Sequence, residues 1–304
     1  MSKLRRPKRK VSGILLLDKP AGFTSNQALQ RVRGLYQAEK AGHTGSLDPL
    51  ATGLLPVCLG QATKLCGYLL DSDKRYLATA KLGVKTRTAD ADGEVVSHSD
   101  PASVTQAMLE AVLPQFTGAI RQIPPMYSAL KQQGRRLYEL AREGLEVERA
   151  PRDVVIHALE LIAFDDGQFQ IDVRCSKGTY VRTLAEDIAA AIGQCAHLTA
   201  LRRLEVTPFR APRLVLPEQL EAAAGQGFEA LDALLIPSAA AFADWPSVTV
   251  DEERAHYLLR GQAVRVAGAP REGLLAVLDS VGSLLCIAQM NEDGMVAPKR
   301  WLAD

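Results

Sequence analysis

The chain has 304 residues, of which 47% are hydrophobic and 23% charged, and a formal net charge of +1. That composition excludes a disordered, collagenous or polycationic protein and fits a soluble globular chain long enough for one large domain and a small one. Its five cysteines, Cys58, Cys66, Cys175, Cys195 and Cys286, make no C-x-x-C pair, so they read as free thiols of a reducing cytosol and not as a disulfide framework or zinc site.

The first ten residues, MSKLRRPKRK, carry six bases and no acid and read as a basic N-terminal tail, solvated or facing phosphate. The next apolar run, Ile14 to Leu17 before Asp18 and Lys19, is far too short for a signal-peptide core or a membrane span, so a cytoplasmic protein without a membrane partner is expected. Thr24 followed by Gln27 predicts a capping box for a helix whose Ala28, Leu29, Val32 and Leu35 share one face.

GHTGSLDPLATG, residues 42–53, has neither helical nor strand periodicity and runs into the apolar segment Leu54 to Leu59. The residue before a proline is pushed into extended geometry, so the Asp48 carboxylate is aimed by its backbone. Gly42, Gly45 and Gly53 permit turns and the close approach of another backbone. An ordinary Asp-Pro turn explains the same letters. No G-x-x-x-x-G-K-[ST] or G-x-G-x-x-G pattern is present, so nothing points to ATP or NAD.

Tyr76 to Thr86 alternates in part and reads as a strand, with Tyr76 among Lys74, Arg75, Lys81, Lys85 and Arg87. Aromatic residues interleaved with bases suit base stacking and phosphate neutralisation, and equally a solvated strand face. A second basic stretch, residues 122–144, places Lys131, Arg135, Arg136 and Arg142 around a proline turn and a helix. Val154 to Phe164 and Phe169 to Cys175, separated by Asp165-Asp166-Gly167, predict a β-hairpin. In CSKGTYVRTLAEDI, residues 175–188, Tyr180 and Arg182 would project to one side of an extended segment. Thr183 with Glu186 predicts a second capping box, for a helix that stops at Gly193. Hairpins among helices predict an α+β core with antiparallel pairing. From about Trp245 the texture changes to short apolar runs, Ala263 to Val266, Leu274 to Leu278 and Leu284 to Ala288, as in a small β-rich module.

Four strings, LDKPAGFTS at 17–25, GHTGSLDPLATGLLPVCLGQATK at 42–64, QIPPMYSALKQQG at 122–134 and KGTYVRTLAEDI at 177–188, resemble the bacterial tRNA pseudouridine synthases of the TruB type. The resemblance covers essentially the whole chain from about Val11. It implies a pseudouridine-synthase fold, α+β with a mixed, mainly antiparallel sheet, over residues 11–245, an RNA-gripping insertion at about 124–150, and a PUA-like RNA-binding domain at 246–304. The implied activity is conversion of uridine 55 in the T-loop of tRNA to pseudouridine, without cofactor or metal. By this resemblance Asp48, Tyr76 and Arg182 are catalytic, with Arg182 pairing Asp48. His43, Tyr76, Tyr180 and Leu201 bind the RNA and the flipped base, and Lys19 and Lys64 are supporting. The implied partner is the T-arm of tRNA, met by a monomer with no guide RNA. A non-catalytic tRNA chaperone on the same fold is the alternative. Ala189 and the segment Glu205 to Pro208 depart from the family pattern.

Overall fold

The computed structural model describes residues 8–302, so the basic tail lies outside them up to residue 7. In chain order the elements are β1 Gly13–Lys19, α1 Ser25–Leu35, β2 Ala41–His43, β3 Thr52–Leu59, α2 Cys66–Leu70, β4 Lys74–Leu82, β5 Val84–Thr86, β6 Val95–His98, α3 Gln106–Val112 and β7 Gly118–Gln122. There follow β8 Lys131–Gln132, β9 Arg135–Arg136, α4 Leu137–Arg142, β10 Arg152–Asp165, β11 Gln168–Cys175, α5 Val181–Ala191 and β12 Ala196–Val206. The last are α6 Pro217–Gln226, α7 Phe228–Asp232, β13 Ser247–Thr249, α8 Glu252–Leu259, β14 Leu274–Leu278, β15 Leu284–Met290 and β16 Val296–Trp301. The chain divides into two compact units, one of Met1–Leu47, Leu54–Leu70 and Thr207–Asp304, the other of Asp48–Gly53 and Asp71–Val206.

In the first unit the capping box forms as predicted. The Thr24 hydroxyl accepts the Gln27 N–H at 3.2 Å while the Gln27 side chain accepts the Thr24 N–H at 2.8 Å. Two otherwise orphaned donors are thereby satisfied. The helix then buries Ala28, Leu29 and Val32 against Leu15 and Leu17 of β1 and Leu55, Val57 and Leu59 of β3. A second core in this unit lies under the four-stranded sheet β13-β14-β15-β16, where Leu258 of α8 meets Leu275, Val277, Cys286 and Val296. The run Ala263 to Val266 makes no strand, only an isolated bridge from Val264 to Val296.

In the second unit β12, β4, β11, β10 and β7 are neighbours in that order, each pair antiparallel. Thr52 and Gly53, the start of β3, pair in parallel with Arg202 and Arg203, which makes the sheet mixed. The predicted hairpin is β10–β11, closed at Asp165 and Gln168. Its two turn residues, Asp166 and Gly167, have φ of 46° and 68°, the left-handed pair that matches strand twist. Along β11 every second residue is buried, Phe169, Ile171, Val173 and Cys175, which is the period-two pattern of a strand with one face on the core.

Two expectations are corrected. The strand predicted from Tyr76 to Thr86 is two strands, broken where Gly83 turns left-handed at φ 86° and donates its N–H to the Cys195 carbonyl at 2.8 Å. The α5 helix starts three residues earlier than its Thr183–Glu186 signature implied, with Tyr180 as an N-cap that makes no side-chain bond. Thr183 is buried inside the helix and Glu186 instead pairs with Lys85 at 3.5 Å, so tertiary contacts claim both members of the expected box. The helix stops where expected, at Gly193, whose φ is 73°.

Gly53 has φ 95°, and a Cβ there would strike the Arg203 carbonyl oxygen and lie 2.9 Å from the Arg203 nitrogen. Left-handed strain costs an L-residue roughly 1–2 kcal/mol before any clash is counted. Gly53→Ala is therefore expected to destabilise the protein by at least about 2 kcal/mol, lowering Tm by roughly 4–8 °C in a thermal melt. An unchanged Tm would mean that β3 and β12 are not held this closely.

Candidate active site

The loop that carries Asp48 is a tight turn: the Asp48 carbonyl accepts the Ala51 N–H at 3.1 Å, with Pro49 at the second position. Proline presets that corner and restricts Asp48 before it, so the loop is both the ordinary Asp-Pro turn and a device for aiming one carboxylate. The Asp48 side chain is 40% exposed. Its Oδ2 lies 2.9 Å from Nε of Arg182, whose side chain is only 6% exposed. Arg182 sits in the first turn of α5 and not on an extended segment, so it and Tyr180 do not share a strand face.

Every nitrogen of that guanidinium is engaged. Nη1 donates to the Thr88 carbonyl and Nη2 to the Tyr127 carbonyl, each at 2.7 Å, and Nη1 also lies 3.7 Å from Oδ2 of Asp90. Asp90 is buried and accepts the Asp92 N–H at 3.2 Å and the Thr88 hydroxyl. A planar fork held on all sides cannot rotate, so the carboxylate it touches is held in one orientation.

Tyr76 lies on β4 opposite Arg203 of β12 and Val173 of β11. Burial pushes its phenol above the ordinary tyrosine range, and the Asp48 charge adds to this, while the Arg203 charge and hydrogen bond oppose it. Burial also raises the Tyr180 phenol, which feels both Arg182 and Asp48. The Tyr180 backbone is pinned by one side chain: its N–H donates to Gln122 Oε1 at 3.0 Å, and Gln122 Nε2 donates to its carbonyl at 3.3 Å. Leu201, buried on β12, pairs with Ala78 and stands two residues from Arg203. Lys74, two residues before Tyr76, has its ammonium lowered to about 8 by burial and by Arg203.

Asp48, Arg182, Tyr76, Tyr180 and Leu201 thus all belong to the second unit. Lys19, His43 and Lys64 belong to the first. Lys19 is fully buried and donates to the Pro20 and Phe23 carbonyls at 2.9 and 2.6 Å, closing the turn of LDKPAGFTS. His43 ends β2 opposite Val57, and Lys64 donates to the Trp301 carbonyl at 2.9 Å. Sequence reasoning passed over Asp90, Gln122 and Arg203. The Asp90 turn, TADADG, was a visible signal; the carbonyls of Thr88 and Tyr127 leave no mark in a sequence. Among the described residues no group of three His, Cys, Asp or Glu could hold a metal, and no helix is long and apolar enough to cross a membrane.

Comparison with known proteins places this geometry in a family. Residues 33–181 match the N-terminal domain of the TruB family pseudouridylate synthases, residues 182–243 the tRNA pseudouridylate synthase B C-terminal domain, and residues 246–302 the C-terminal domain of pseudouridine synthase II TruB. The tRNA pseudouridine synthase B of Pseudomonas fluorescens (strain Pf0-1) is 54% identical over 301 residues, 99% of this chain and 98% of that protein. That of Stutzerimonas stutzeri (strain A1501) is 53% identical with the same coverage. A crystal structure of a Cbf5-Nop10-Gar1 complex contains a chain that superposes with a TM-score of 0.76 at 25% identity, over 96% of this chain and 85% of that one. With such identity over nearly its full length, this chain belongs to the TruB family of pseudouridylate synthases.

Proposed function

We propose that this protein isomerises uridine 55 in the T-loop of tRNA to pseudouridine, with Asp48 as the catalytic carboxylate, and that it acts without cofactor or guide RNA. The observation that carries this is the 2.9 Å pairing of a half-exposed carboxylate with a buried guanidinium in a chain whose relatives are named tRNA pseudouridine synthase B. Residues 11–245 would form the catalytic body, with a gripping insertion at about 124–150, and 246–304 the PUA-like RNA-binding module. The protein would work as a cytoplasmic monomer.

The reaction breaks the bond from C1′ to N1, turns the uracil, and joins C1′ to C5 as the C5 proton leaves and N1 gains one. Atoms are conserved, so the demand on the protein is positional and electrostatic. Positive charge develops at the sugar as the first bond breaks, and an ionised, oriented carboxylate either stabilises or captures it. Arg182, holding Oδ2, fixes the plane of that carboxylate. Asp90 is no second catalytic acid of the glycosidase kind, because it is buried behind the same guanidinium.

A base inside a folded loop must be extruded, at a cost of a few kcal/mol, before any of this can happen. Tyr76 offers the ring for stacking, with Tyr180 and Leu201 as the remaining walls, and His43 contacting the RNA from its own unit. Because burial raises the Tyr76 phenol, the ring is neutral at working pH, which suits stacking on a neutral base. Lys85, Arg87, Lys131, Arg135, Arg136 and Arg142 supply charge for phosphates. Lys19 and Lys64 support the fold of the first unit through the carbonyls they bind.

Asp48→Asn is expected to abolish turnover while leaving the Kd for tRNA within about threefold, since the amide keeps the shape and loses the charge. A loss of affinity as large as the loss of rate would make Asp48 structural, and tRNA remodelling unaffected by the change would favour a chaperone. Tyr76→Phe keeps the stacking face and removes the hydroxyl, so kcat should fall by about 100-fold with tRNA affinity nearly intact, the scale of a proton-transfer contribution. Tyr76→Leu should in addition weaken binding by about 1–3 kcal/mol, the worth of one base–aromatic stack. Because the phenol stays neutral, the pH–rate profiles of wild type and Tyr76→Phe should have the same shape up to the ordinary tyrosine range near about pH 10. An alkaline limb present only in the wild type would contradict this.

A further inference from the structure

Two cysteines that the proposed chemistry does not use meet in the first unit. Cys58 lies on β3 directly opposite Gly42 of β2 and is fully buried. Cys66 opens α2, is partly exposed, and holds its Sγ 3.0 Å from where a Gly42 Cβ would be. Directly opposed residues of an antiparallel pair carry Cβ positions about 4.5–5.5 Å apart. The Cys66 sulfur therefore fills the space from which a side chain at position 42 would face Cys58, and a Cβ at 42 would press on that sulfur. The two thiols interact there: a hydrogen bond from Cys58 lowers the Cys66 thiol, while the same contact and burial raise Cys58. Burial instead pushes Cys175 and Cys286 up to about 11 and about 12, the state of inert structural thiols.

We propose that Cys58 and Cys66 form an oxidisable dithiol, a modification site for hydroperoxides in which the partly exposed Cys66 meets the oxidant and the buried Cys58 resolves it. The Cys66 thiolate attacks a peroxide oxygen, the O–O bond breaks, and Cys66 becomes a sulfenic acid as water, or an alcohol from an organic hydroperoxide, departs. Cys58 sulfur then attacks Cys66 sulfur, the S–S bond forms, the S–O bond breaks, and hydroxide leaves as water with the Cys58 proton. Two electrons pass from the pair of sulfurs to the peroxide, and a thiol reductant returns them. The product ties α2 to β3 beside β2, the strand that ends in His43.

The test is peptide mapping of the full-length protein after treatment with a small excess of hydrogen peroxide, with free thiols titrated in parallel under denaturing conditions. The expected result is a Cys58–Cys66 cross-link lighter by two hydrogens, loss of two of the five thiols, and recovery of both with dithiothreitol. Cys66→Ser, a change at a partly exposed position, should abolish the cross-link and leave Cys58 reduced. In Cys58→Ala, if it folds, a sulfenic-acid trap should label Cys66. Both cysteines remaining reduced, oxidation of Cys66 beyond the sulfenic stage without a cross-link in the wild type, or Cys66 bonding to any other cysteine would overturn the proposal.

Discussion

Removing the charge of Arg182 from water is the constraint on which the second unit depends. A buried ion carries an effective penalty of several kcal/mol unless acceptors replace its hydration. Here the replacements come from three places far apart in the chain, Asp48 in its turn, Thr88 and Asp90 before β6, and Tyr127 after β7, gathered around the guanidinium that α5 presents. Each segment is held because the cation needs it. Two carboxylates face one cation, and the one left half-exposed is Asp48, so the arrangement delivers a fixed negative charge to the surface of the unit and keeps its other members inside.

The sheet supports this from the strand side. Gly53 ends the motif by bringing its backbone within a Cβ's width of Arg203, and Arg203 on β12 in turn stands opposite Tyr76 of β4. One short stretch of chain therefore positions an acid at its start and, through Gly53, abuts the strand that holds the arginine partner of a tyrosine at its end. Burial keeps the Tyr76 phenol neutral, while the guanidinium that pairs with the half-exposed Asp48 is itself buried.

Local signals survived folding where their contacts are local. The Thr24–Gln27 box, the Asp166-Gly167 turn and the alternation of β11 were legible because each is decided within a few residues. The box at Thr183 and Glu186 failed for the opposite reason: core packing took the threonine and Lys85 took the glutamate, one decided in space and the other across the chain. The aim of Asp48 could be argued from Pro49, and Arg182 singled out as its partner through family resemblance, but the burial of that arginine and its tie to Asp90 could not. Arg203 gave no warning either, being one basic residue in a row of two until its neighbour across the sheet is known. Cys58 and Cys66 looked like scattered thiols because only the β2–β3 register sets Cys58 across from Gly42 and only the fold of α2 brings the Cys66 sulfur to the same glycine.

The most direct test of the central claim is release of tritium from C5-labelled uridine in a tRNA transcript, with the position of reaction mapped, using the purified protein alone. The account predicts release at a single T-loop uridine, position 55, by the wild type and none by a protein lacking the Asp48 charge. Tight tRNA binding with no release, or release only after a guide RNA or second protein is added, would contradict it.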